Sequence, residues 1–299
     1  MVIILTTMTA FREINFRGKS RERIELMQTM IADYDSQGLR LTARQLYYQF
    51  VSRNVIENTE RSYKNLTTLL TDARYAGLVS WSAIEDRGRE PTQWREYASL
   101  GACVDSALRN YRLKRWDYQS NYAELWVEKQ ALAGVLEPLA AEFHVTLMVN
   151  KGYSSASAMW ESAQRFMAHN HADQVAHLFY VGDHDPSGED MVRDIGDRLR
   201  EFGVRDLELV KVALTMDQVE EHQPPPNPAK RTDSRFEKYA ELHGDESWEV
   251  DALPPQVLQQ LIRDQLENVL DRDAWDKTIE REERDKAKLK KAVKGIESK

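Results

Sequence analysis

The chain has a single cysteine, Cys103, among 299 residues. An intramolecular disulfide is therefore excluded, and so is a zinc site built on thiolates. Long apolar runs are lacking as well. Stretches such as Val2 to Leu5 and Val145 to Val149 fall far short of the roughly 20 residues that cross a bilayer. No basic segment precedes the first of them, so neither export nor a membrane role is expected, and the cytoplasm is the expected location. Base is short relative to acid: 41 Lys and Arg against 49 Asp and Glu leave a net charge of -8. Phosphate contacts need Lys and Arg, so any nucleic-acid role has to rest on local charge. Base recurs from Phe16 to Arg23, at Arg87 and Arg89, from Arg112 to Arg115, and at Lys230 and Arg231; acid gathers from Asp183 to Asp197 and from Asp245 to Asp251. Taken alone, these charges read first as solvated surface. Hydrophobic residues at 41% and charged residues at 30% support a globular protein with a real core, and the length suits two domains.

Gly18 to Gln37 carries Ile24, Met27, Ile31 and Tyr34 at helical spacing, and Gly38 stops it. Thr42 is placed to cap a second helix with Ala43, Leu46, Tyr47, Phe50 and Val51 on one face. A third helical stretch runs from Thr59 to Ala76. A short strand over Gly77 to Trp81 and a turn over Ile84 to Arg89 would complete a winged helix-turn-helix, with a plain helical bundle as the alternative. Gln93 to Leu113 reads as a further helix and Trp116 to Asn121 as a connector. Strands and helices then alternate: Ala123 to Val127, Gln130 to Phe143, Val145 to Asn150, Ser155 to Asn170, Ala176 to Val181, Gly188 to Phe202 and Leu207 to Ala213. That alternation predicts an α/β fold with a parallel, helix-covered sheet. The run Pro224 to Pro228 must be an extended loop. Beyond it a strand at Ser247 to Val250 and helices at Pro254 to Leu270 and Trp275 to Val293 are expected, the last too polar to be buried.

Glu128 closes the first strand of the α/β half, and ligands of open α/β sheets bind outside the carboxyl ends of strands. Asp183 and Asp185 follow a later strand, one residue apart, so an extended chain would project both the same way. Oxygen donors of this kind suit Mg2+, with Mn2+ as a substitute. An isolated Asp-x-Asp before a helix would more simply be a cap. His184, between the two acids, is read as a packing or surface residue. Val127-Glu128-Lys129 before a helix, Lys151-Gly152-Tyr153-Ser154-Ser155 after the second strand, and Gly182-Asp183-His184-Asp185-Pro186-Ser187-Gly188 after the third together resemble the Toprim domain. They look most like its version in the topoisomerase VI A subunit. The resemblance implies a Mg2+ site made of Glu128, Asp183 and Asp185, and DNA cleavage as the activity.

In that family a winged helix bearing a nucleophilic tyrosine precedes the Toprim domain, and Arg44-Gln45-Leu46-Tyr47-Tyr48 matches its Arg-x-x-Tyr-Tyr. The resemblance makes Tyr48 the attacking residue, with Arg44 beside it. At about 100° per residue, Tyr47 falls with the apolar face and Tyr48 beside Arg44 and Ser52. Tyr47 is thus expected to pack and Tyr48 to be presented, although an aromatic pair with a purely structural role fits nearly as well. Arg87, Arg89, Lys129, Lys151, Lys230 and Arg231 are candidate DNA contacts. The chain departs from the topoisomerase pattern in a shorter N-terminal side and in lacking a recognisable ATPase module, and its stretch from Asp217 to Lys299 has no counterpart there. It resembles most the compact bacterial and phage Mini-A proteins. Glu249 and Asp251 are read first as cap and surface residues, with a place near the metal as the alternative.

These readings give a winged-helix domain at 1–117, a Toprim domain at 118–215 and a helical extension at 216–299. The resemblance implies duplex DNA as substrate, a homodimer whose tyrosine and metal come from opposite subunits, and a separate ATPase subunit if strands are passed. It also places the protein in a bacterial cytoplasm or nucleoid, or in a phage. A Toprim hydrolytic nuclease with a structural Tyr48 is the second expectation, and an inactive DNA-binding protein the third.

Overall fold

A computed structural model of the chain describes residues 8, 10–85, 94–150 and 154–297, with side chains through 293. The first elements are α1 (Lys19–Ser36), β1 (Leu41–Thr42), α2 (Ala43–Ser52), α3 (Glu60–Tyr75) and β2 (Ile84–Glu85). The three helices pack on one another and enclose a core of Ile24, Met27, Tyr34, Leu46, Phe50, Leu66 and Leu70. A capping box fixes the start of α2: the Thr42 hydroxyl accepts from the Gln45 amide, and the Gln45 side chain accepts from the Thr42 amide, which satisfies two helix-end donors. The strand expected at Gly77 to Trp81 does not form. The chain turns at Gly77, where φ is 72°, and a 3-10 turn covers Trp81–Ala83. Those apolar residues serve packing instead, with Val79 buried and the Arg74 guanidinium stacked on Trp81. The strand lies further on, at Ile84–Glu85, parallel to Leu41–Thr42. The helix expected at Gln93 to Leu113 is shorter, α4 (Leu100–Asn110), because Ser99 caps it.

The chain then alternates through β3 (Asn121–Val127), α5 (Gln130–Glu142), β4 (Thr146–Val149), α6 (Ala156–Asn170), β5 (Val175–Val181), α7 (Pro186–Glu201) and β6 (Leu207–Ala213). All four strands are parallel, in the order β4-β3-β5-β6, so the chain is of mixed α/β class. The central strands β3 and β5 are buried on both faces from their second residue onward, which explains their nearly unbroken apolar runs. Leaving β3 the chain moves to one side of the sheet, and leaving β5 it moves to the other. The right-handed crossovers therefore place α5 on one face and α6 and α7, which pack together, on the opposite face. The switch point between the two directions falls at the carboxyl ends of β3 and β5.

Beyond the sheet come α8 (Met216–His222), β7 (Asn227–Pro228), α9 (Phe236–His243), β8 (Glu246–Ser247), α10 (Pro255–Val269) and α11 (Arg272–Glu297). The proline run is extended, and its end pairs antiparallel with β8. The strand expected at Ser247 to Val250 stops at Ser247 and gives way to a 3-10 turn at Val250–Ala252. Helices α8 and α9 lie on either side of the proline run, over residues for which the sequence pattern predicts no element. The expectation of a solvated α11 holds for most of its length, but one side of the helix packs. Trp275, Thr278 and Glu282 are buried, and Glu282 pairs with the equally buried Arg115 at 2.8 Å while accepting from the Leu113 amide. A polar helix is held here by an internal ion pair. Among the described residues no helix is long and apolar enough to cross a membrane.

Candidate active site

Glu128 leaves the end of β3, and Asp183 and Asp185 leave the end of β5. Because these strands are neighbours, the three acids line one cleft of about 540 Å³ at the switch point. Glu128 Oε2 accepts from the Asp183 amide at 3.1 Å. Gly182 makes room for this contact, since a Cβ there would lie 2.8 Å from the same oxygen. Gly188 is required too, because a Cβ would collide with the Asp183 carbonyl. Asp185 performs the capping role that an Asp before a helix suggests: its Oδ1 accepts from the Gly188 amide at 2.6 Å and from the Ser187 hydroxyl at 2.8 Å. His184 points away into the interior, where its Nδ1 lies 2.8 Å from the Tyr239 hydroxyl. Burial holds its pKa well below the usual histidine range.

The backbone of His184 bridges that of Trp248, N–H to carbonyl in both directions at 2.9 Å. This bridge brings Glu249 and Asp251 into the cleft. The alternation Trp248-Glu249-Val250-Asp251 was the available signal, and the reading of both acids as surface or cap residues is corrected: Asp251 is buried at 1% exposure. The Val250 amide donates to Asp183 Oδ1 at 2.9 Å. Lys129 Nζ lies 2.9 Å from Asp183 Oδ1, 2.9 Å from Glu249 Oε2 and 3.0 Å from Asp251 Oδ1. Arg44 reaches over from α2 and grips both Glu249 oxygens, with Nη2 2.6 Å from each.

Burial raises the Asp183 carboxyl pKa, and Glu128 and Asp251 add to the rise against the pull of Lys129. Burial likewise raises Asp251. Burial opposes the charge of Lys129, but Asp251, Asp183 and Glu249 outweigh it and hold the ammonium firmly protonated. The cleft lining carries five carboxylates, Glu128, Asp183, Asp185, Glu249 and Asp251, against three cations, Arg44, Lys129 and Lys230. A phosphate entering it meets net negative charge unless another cation accompanies it.

Tyr48 differs from expectation. It is 2% exposed and Tyr47 is 4% exposed, so neither is presented. The polar side of α2 is covered by the Val250–Ala252 turn, and Ala252 joins the helical core. A helical wheel cannot foresee a lid supplied by a segment some two hundred residues later. Arg44 Nη2 still lies 3.3 Å from the Tyr48 hydroxyl, which faces the Glu249 side of the cleft. Burial, with Glu249 and Asp251 adding, pushes the phenol above its ordinary pKa despite Arg44. Tyr47 instead donates to Asn58 Oδ1 at 2.8 Å.

The all-oxygen donor set fits a hard divalent ion in kind. Among the described residues, however, no three His, Cys, Asp or Glu side chains stand in a ligating array, and Lys129 and Arg44 already engage Asp183, Glu249 and Asp251. Of the candidate DNA contacts, Lys129 is engaged by the acids, Lys230 is exposed at the cleft rim, and Arg231 is exposed and paired with Asp245. Arg87, Arg89 and Lys151 lie outside the described residues. No protein-family model matches the chain, and no curated protein matches it.

Proposed function

We propose that the protein is a Mg2+-dependent DNA-cleaving enzyme of the topoisomerase VI A-like class. The reading joins a winged-helix domain at 1–117 to a Toprim domain at 118–215, with residues 216–299 packed against the latter. One observation carries it: the carboxylates at the ends of β3 and β5 share, within a single chain, one cleft with Arg44 of α2, whose guanidinium lies 3.3 Å from the Tyr48 hydroxyl. The parallel sheet and its switch point support the Toprim part, and three packed helices followed by a short strand support the winged-helix part. Duplex DNA is the substrate in this reading, a homodimer the working unit, and an ATPase subunit the partner for any strand passage.

Bound by Glu128, Asp183 and Asp185, Mg2+ or Mn2+ would supply the positive charge that a phosphate and its leaving oxygen need in the transition state. The Tyr48 oxygen attacks phosphorus, the bond from phosphorus to the 3′ oxygen breaks, and a 5′-phosphotyrosyl link remains. The phenol proton passes to water, and the leaving 3′ oxygen takes a proton from water. Arg44 is placed to favour the phenolate by charge. Tyr48 has to be uncovered for this step. Its burial favours a second reading, in which water attacks and Tyr48 is structural.

Supercoiled plasmid incubated with Mg2+ separates the two readings. Protein-linked 5′ ends, seen after protease treatment and absent from Tyr48→Phe, are the expected result. Cleavage undiminished in Tyr48→Phe but absent from Asp183→Ala leaves hydrolysis. DNA binding without cleavage by the wild type overturns both.

A further inference from the structure

We propose that Arg44 and Lys129 form the seat of a DNA phosphodiester, which the Glu249 carboxylate fills in the free protein and vacates when the phosphate arrives. The proposal rests on the reading above for its ligand and adds to it a place for the phosphate. Both Glu249 oxygens lie 2.6 Å from Arg44 Nη2, and Oε2 also lies 3.1 Å from Arg44 Nε and 2.9 Å from Lys129 Nζ. An arginine that grips two oxygens of one anion, with a lysine as a second point charge, holds a phosphate as well as it holds a carboxylate. The same Arg44 Nη2 is 3.3 Å from the Tyr48 hydroxyl. An anion on Arg44 therefore stands beside the residue from which attack on phosphorus is proposed.

Glu249 is the acid that can go. Of the three carboxylates on Lys129, its side chain is 22% exposed, against 11% for Asp183 and 0% for Asp251. It makes no capping hydrogen bond through that side chain. The backbone around it is fixed instead: His184 bridges Trp248, the Val250 amide donates to Asp183, and Val250 is fully buried. Exchange thus takes a rotamer change of one side chain and no movement of the turn.

Charge favours an exchange over an addition. Burial opposes the Glu249 charge, but Lys129 and Arg44 outweigh it and hold the pKa down at about 2, so the seat holds an anion at neutral pH. A phosphodiester also carries one negative charge. Replacing one monoanion by another adds none between the two cations, which lets a phosphate enter a lining that is acidic overall.

Binding of inorganic phosphate to the full chain in EDTA, by isothermal titration calorimetry, and of a short labelled DNA duplex, by fluorescence anisotropy, tests this. Glu249→Gln and Glu249→Ala remove the resident charge and are expected to bind both about tenfold tighter than wild type. Glu201→Gln removes the same charge from an exposed site at the far end of α7 and is expected to change neither. Adding Arg44→Gln to Glu249→Gln should abolish the gain. In the unaltered protein, carbodiimide-driven amidation of Glu249, read by mass spectrometry, should rise several-fold on adding a duplex with hydroxyl ends. Binding that neither Glu249 variant tightens, a gain that Glu201→Gln matches or that survives Arg44→Gln, or amidation that the duplex does not change overturns the proposal. A gain for inorganic phosphate without one for the duplex overturns the phosphodiester as ligand. Any of these failures alongside Mg2+-dependent plasmid cleavage leaves the cleavage reading standing, and tighter duplex binding without cleavage does the reverse.

Discussion

At the ends of β3 and β5 the carboxylates stand along a cleft, whereas on α2 a phenol of equal interest is sealed beneath a turn. The contrast follows from the two kinds of element. A strand of a parallel sheet ends where its ladder ends, so the residues just past it face the crevice between diverging connections. A helix side has no such guarantee, because whatever packs next to it decides whether it is open. Residues 250–252 decide it for Tyr48, and residues 111–118 do so for Glu282 on α11. Polar groups at strand ends are thus read as chemistry. Polar groups under helices are read as structure until something uncovers them.

The sharpest test of this contrast is Asp183→Ala, which is expected to lower Mg2+-dependent cleavage about 10³-fold in a plasmid time course. Its folding stability should fall by only about 1 kcal/mol by urea titration, since burial makes the ionised Asp183 costly to keep and offsets loss of its contacts with the Val250 amide and the Lys129 ammonium, which keeps Glu249 and Asp251. A large loss of stability would break the comparison. Glu282→Ala is the opposite case. It strands the buried Arg115 and is expected to cost about 3 kcal/mol in the same titration.

A pH series sharpens the second half of the contrast. Burial opposes ionisation of Glu282, but Lys286, the Leu113 amide and Arg115 outweigh it and depress its pKa. A depressed acid contributes stability above its unfolded pKa and loses it as pH falls through the folded value. Amide exchange in α11 should therefore accelerate as pH falls from about 5 to about 3 relative to the intrinsic rate, and Glu282→Gln should abolish that pH dependence. The smallest expected effect is that of Tyr48→Phe on stability, about 1 kcal/mol or less, because only the contact with Arg44 and the Glu249 side is lost. A larger loss would mark the hydroxyl as structural and favour the hydrolytic reading.

Much of the sheet half was legible from residues alone. The boundaries expected for β6 match those of the structure, and those of β3, β5, α5 and α6 differ by no more than two residues. Alternation and caps are local, and both are written in sequence. The strand-end positions of Glu128, Asp183 and Asp185 were legible the same way, and the three line one cleft. The helical half was less legible: Leu78, Val79 and Trp81 have the composition of a strand, yet packing takes them into a turn. Glu249 and Asp251 were misplaced because the His184–Trp248 bridge that delivers them joins segments more than sixty residues apart.

Sequence by itself therefore determined the alternating elements, the parallel sheet and the three acids after its strands, since each depends on neighbours a few residues away. Tertiary structure alone decided that Asp251 and Glu249 join them, that Lys129 occupies their midst, and that Tyr48 lies covered. Those outcomes depend on which distant surfaces meet, and burial and net charge are properties of that meeting, not of any one segment.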